Sequence, residues 1–208
     1  MFGRKKLRAA KPRLISVKVP WAVAADTPYL RLTASESPVE AHVRFVAFFA
    51  LGRDVRTTQT PSQVGFARAE VFYPPHDSNI KRGPPSGPDQ VIKVSFDQAV
   101  EARMVRAFSD ASAIDYSAFD CSALFDPNEY VEDIKRWLTE YHQEWRRTGF
   151  CPDPRMYEVE GSAWLGEYEH HGWKHYIIVG HDAYVEVLAK DWKWESEGSL
   201  RGSHGGMT

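Results

Sequence analysis

The chain has 208 residues, a formal net charge of -2, 43% hydrophobic side chains and 26% charged ones. This ordinary globular balance excludes collagen-like, low-complexity and membrane-bundle classes, and it supplies no global attraction to nucleic acid or to an anionic membrane surface. A chain of this length buries roughly 70% of the surface its unfolded form exposes, so folding requires neither disulfides nor structural zinc.

Residues 1–12 are expected to be a basic flexible tail. Arg4, Lys5, Lys6, Arg8 and Lys11 lie there, Arg13 and Lys18 follow, and no acid occurs before position 19. A solvated tail is the simplest reading of such a block, and it is also the one route by which nucleic acid would be contacted. No run of 18 apolar residues exists, so no membrane insertion is expected. The N-terminus lacks the apolar stretch of a secretory signal, because Ala9 and Ala10 give way to Lys11-Pro12-Arg13. These features predict a cytoplasmic protein.

From residue 13 to about 115 the dominant pattern has period two. Val39, Ala41, Val43 and Phe45 alternate with Glu40, His42 and Arg44, the signature of a half-buried strand. Further strands are predicted over Leu14 to Val19, Tyr29 to Thr33, Gly65 to Tyr73 and Val91 to Phe96, punctuated by prolines. Residues 83–88, Gly-Pro-Pro-Ser-Gly-Pro, are predicted to be a loop because three of them lack a backbone donor. Asp97 to Ser109 fits either period.

A helix is predicted over 127–148. Asp126, Pro127 and Glu129 supply an N-cap, a pre-set first turn and a capping-box partner. Tyr130, Ile134, Trp137, Leu138, Tyr141 and Trp145 form an apolar stripe, which reads as core. Pairs of Glu132 with Arg136 and Glu144 with Arg147 add support, and Gly149 ends the helix. Cys121 and Cys151 flank it. A helix of this length spans roughly 33 Å at 1.5 Å per residue, so the two are read as free thiols.

Beyond Pro154 the strand signal returns over Met156 to Leu165, His175 to Val179 and Tyr184 to Ala189, with a turn at Glu169-His170-His171-Gly172. The expected fold is α+β: an N-terminal antiparallel β-sandwich-like or partial-barrel segment over 13–115, then one long amphipathic helix packed on a small antiparallel β-meander over 116–196. Residues 197–208, rich in glycine, are expected to be a flexible tail. The two segments are read as separate units or as one compact unit over 13–196.

Phosphate-loop, dinucleotide, zincin, Cys-x-x-Cys and nucleophile-elbow motifs are all missing from the sequence. His170, His171, His175 and His181 fall close together, with Asp182 after the last, and imidazoles with a carboxylate are what zinc or iron takes. In a regular strand, however, His175 and His181 stand about 20 Å apart at 3.3 Å per residue. Cys151 follows a helix C-terminus, whose dipole disfavours a thiolate nucleophile.

Aromatic residues are dense between Tyr157 and Trp194, and Trp and Tyr serve both cores and contact surfaces. The sequence therefore points to a non-catalytic binding protein, of the size of an adaptor or immunity protein, with no cofactor. It would meet a protein partner through Trp194, Trp173, Tyr176 and Tyr184, while Trp192 belongs to the core. The alternative is a small metal-dependent hydrolase holding one transition metal such as zinc at His171, His175, His181 and Asp182. A second alternative is a structural subunit of a larger assembly.

Overall fold

The computed structural model describes residues 10–24, 29–36, 39–50, 90–107, 113–125 and 134–199. The expected strand at Gly65 to Tyr73, the proline-rich loop and the capping residues Asp126, Pro127 and Glu129 lie outside this set, as do residues 1–9 and 200–208.

Two antiparallel five-stranded sheets dominate. The first is ordered β1 (Arg13–Ser16), β7 (Met156–Glu160), β8 (Lys174–Val179), β9 (Ala183–Ala189), β6 (Glu101–Arg106). The second runs β10 (Asp191–Ser199), β5 (Gln90–Asp97), β4 (Val39–Phe49), with β2 (Trp21–Val23) and β3 (Leu30–Glu36) end to end along the far side of β4. Strands on either side of residue 115 thus pair with one another: β1 with β7, β6 with β9 and β5 with β10.

The alternation read in β4 holds, since Ala41, Val43 and Phe45 are buried. They meet Ile92, Val94 and Phe96 of β5 and, from the other sheet, Met156, Tyr176, Ile178, Val185 and Val187. This inter-sheet layer is the main core. The segment from Asp97, which fits either period, is a short turn followed by strand β6, and Phe108 and Ser109 lie outside the described residues. The expected single strand from Met156 to Leu165 ends at Glu160, because Gly161 takes a left-handed φ of 68° and the chain turns into a 3₁₀ segment, Gly166–His171.

Helix α1, described over Ile134–Thr148, does not sit on the meander. Its aromatic side chains pack on Ala22, Phe48 and Ala50, the outer face of the second sheet, where small residues leave room for indoles. Trp145 is fully enclosed and its Nε1 donates to the Pro20 carbonyl at 3.2 Å. The seat is narrow: Tyr141 is buried, while Leu138, expected on the stripe, remains 41% exposed. Glu144 pairs with Arg147 as expected, and Arg136 pairs with Glu140.

The ends also differ from expectation. Lys11 Nζ donates to the Ser117 carbonyl at 2.6 Å and the Asp120 amide to the Pro12 carbonyl at 2.8 Å, so the last residues of the expected N-terminal tail are docked. Residues 197–199 belong to β10 rather than to a tail.

Both cysteines are free thiols. Cys151 is buried, meeting the Tyr141 hydroxyl at 2.8 Å while that hydroxyl donates to the Asp153 carbonyl at 3.2 Å. Burial pushes both groups well above their ordinary pKa values. The folded state therefore holds these protons more tightly than the unfolded chain, and stability falls once pH passes the unfolded thiol's value of about 8.5. Urea midpoints are expected to drop between about pH 8 and pH 10, less steeply in Cys151→Ala.

Candidate functional site

An open groove lies where the 3₁₀ segment enters β8. Gly172, at a left-handed φ of 79°, closes that segment and turns the chain so that Trp173 leads into the strand. The Trp173 indole is fixed by donation from Nε1 to the Gln98 carbonyl at 2.9 Å, at the turn between β5 and β6. Tyr168 stands 5.8 Å from the indole, centroid to centroid, and His171 lies edge-on at 6.2 Å. Lys190 places its ammonium 4.2 Å from the indole centroid, a cation-π contact. With Glu167 these residues line a groove of about 480 Å³.

Lys190 also lines a second cavity of about 300 Å³, between the β1 end of one sheet and the β10 start of the other. Ser16, Lys18, Glu158, Lys174 and Trp192 line it as well, and Lys174 is tied to Glu158 at 2.9 Å.

Of the expected contact residues, only Trp173 lines the groove. Tyr176 is almost wholly buried, 5.5 Å from Phe96 across the sheets, and lines the second cavity; burial raises its hydroxyl pKa. Tyr184 packs on the cluster of Leu14, Ile114 and Tyr157. Trp194 is partly buried on the main core, edge-on to Trp21 at 6.2 Å and 6.4 Å from Phe49. Trp192 packs on the same core.

The residues of the metal alternative do not converge. His171 is exposed at the groove, His175 is buried at the start of β8, and His181 with Asp182 lies exposed beyond its end. Gly180 carries the chain straight into the hairpin, its amide donating to the Ala183 carbonyl at 2.9 Å. Among the described residues no three His, Cys, Asp or Glu side chains are grouped to hold a metal ion.

His175 belongs instead to a buried polar array. Ser162 Oγ lies 2.8 Å from His175 Nδ1, and His175 Nε2 lies 3.4 Å from Glu186 Oε1, too long for a good hydrogen bond. Arg103 Nε donates to Glu186 Oε2 at 2.6 Å. Burial works to raise the Glu186 pKa, but His175 and Arg103 outweigh it and hold the carboxyl below the usual range. Trp164 covers the array: its ring meets His175 edge-on at 5.0 Å, its Nε1 donates to Glu101 at 2.7 Å and Arg103 lies 4.3 Å over it.

Ser, His and Glu are the residue types of nucleophilic catalysis, yet the geometry serves another purpose. The carboxylate faces Nε2 and the hydroxyl Nδ1, Ser162 Oγ already accepts the Trp164 amide at 3.2 Å, and neither cavity reaches Ser162. The array ties residues 161–165 to the sheet. Its one legible signal was the lone acid in Val185-Glu186-Val187, an ion placed in an apolar strand. Tyr168 and Lys190 carried no such signal, because the groove arises from the meeting of three turns. Comparison with protein families, with curated proteins and with solved structures finds no match for this chain.

Proposed function

We propose that this chain is a non-catalytic cytoplasmic binding protein that engages a protein partner through the groove of Tyr168, Trp173 and Lys190. The observation that carries this reading is the anchored indole. Trp173 is held by Gln98 before any partner arrives, so little side-chain freedom is lost on binding, and interface energy concentrates on such rigid aromatics. Lys190 adds an ammonium over the ring that suits a carboxylate on the partner. No described helix is long and apolar enough to cross a membrane.

The test is retention of partners from the source cell on immobilised protein. Lys190→Glu alters an exposed side chain and should leave stability within about 0.5 kcal/mol of the parent while reversing the charge at the groove. Trp173→Ala should weaken the same partner by about 2 kcal/mol or more. A protein that binds the parent and is lost by both folded variants supports the reading; equal retention by both ends it.

A further inference from the structure

We propose that β10 is a self-association edge, through which two copies of this chain pair antiparallel about a two-fold axis at Trp194. Among the described residues β10 has a neighbour, β5, on one side only, so the backbone groups along its outer side have no partner strand there. From Asp191 to Ser196 its register with β5 is unbroken, and a bulge between Ser196 and Gly198, with Gly198 at φ 105°, then ends the regular stretch. A straight edge of defined length remains.

The side chains of that edge are self-complementary. Trp192 and Trp194 turn toward the inter-sheet core and are only partly buried, while Lys193 and Glu195 are exposed on the opposite face. With the axis at Trp194, each Trp194 meets the partner's Trp194, and each Lys193 stands opposite the partner's Glu195. Both faces are preserved, as a continuous sheet requires. Glu195 already accepts from Lys93 at 3.0 Å, so it would lie between Lys93 and the partner's Lys193. Lys193 makes no ion pair of its own among the described residues.

Charge selects this register. Within the regular stretch Asp191–Ser196, slipping the pairing by two residues places Lys193 opposite the partner's Lys193, or Glu195 opposite the partner's Glu195, and like charges directly across a ladder repel; Glu197 lies in the bulge and outside that ladder. Charged edge residues also serve to prevent pairing, but the alternation Lys193, Trp194, Glu195 attracts its own copy in the register described. The surface involved is distinct from the Trp173 groove, so the two proposals stand or fall separately.

Sedimentation equilibrium of the full chain over a wide concentration range tests this. The parent is expected to show a reversible monomer–dimer equilibrium. Lys193→Glu and Glu195→Lys should each weaken the dimer by about tenfold or more, since both cross-strand pairs change from attraction to repulsion. An equimolar mixture of the two variants should associate as a heterodimer, and the double reversal in one chain should dimerise again. Circular dichroism confirms that each variant is folded. A parent that stays monomeric throughout, a dimer indifferent to both reversals, or a mixture that fails to associate overturns the proposal.

Discussion

Trp145→Ala is expected to lower stability by about 3–5 kcal/mol, the range for removing a large aromatic side chain from a packed site. The indole has no exposed surface, lies among Phe48, Tyr141 and His142, and its N–H satisfies the Pro20 carbonyl. Truncation empties the centre of the contact between α1 and the second sheet and leaves that carbonyl short of a donor. The site cannot collapse easily, because Ala22 and Ala50 opposite have no side-chain length with which to fill the space. Urea unfolding of the variant measures the loss. A midpoint equal to the parent's would mean that α1 contributes little to the folded state.

Glu186→Ala is expected to cost about 1.5–3 kcal/mol at neutral pH, the worth of a hydrogen bond to a charged group. The figure is below the roughly 3–5 kcal/mol for breaking a fully buried ion pair, because the Arg103 side chain is 55% exposed and regains water. The pH dependence identifies the cause. The Glu186 carboxyl is held below its ordinary range, so its contribution is present above the unfolded value of about 4.3 and is lost as pH falls through the depressed folded value. The stability gap between parent and variant should narrow on acidification below about pH 4. A gap constant from pH 7 to pH 3 would assign the loss to packing alone.

Local pattern carried much of the fold. Alternation in β4 located a strand and its buried face, and the apolar runs of β5, β8 and β9 were bounded by turn residues whose chemistry is legible. The spacing of Trp137, Tyr141 and Trp145 located a helix and its inner side. It did not disclose the receptor, since Ala22, Phe48 and Ala50 are an unremarkable set until β2 pairs with β4 and brings them together. No strand was predicted over β10, and its end has tail-like composition in Glu197 and Gly198, whereas what holds the strand is pairing with β5 and the contact of Glu197 with Arg44 at 3.0 Å. Trp173 was singled out from its type alone, and the structure places it at the groove. Its neighbours in the groove were not legible, for they depend on the Gln98 turn and on Lys190, each delivered by a different strand connection.

The interleaving of the strands sets the order in which this chain is able to fold. Arg13–Ser16 must wait for Tyr157–Glu160, and β5 for β10, whose last residue is Ser199, so neither sheet is complete until strands far apart in sequence have both left the ribosome. Contacts so distant in sequence require large loops to close first, which favours slow folding and a period in which β5 is itself an open edge. An emerging polypeptide of this design has no early half that is finished on its own. Its vulnerability to aggregation therefore falls in the interval when Val91–Phe96 is already exposed and Asp191–Ser199, the strand that covers it, has yet to emerge.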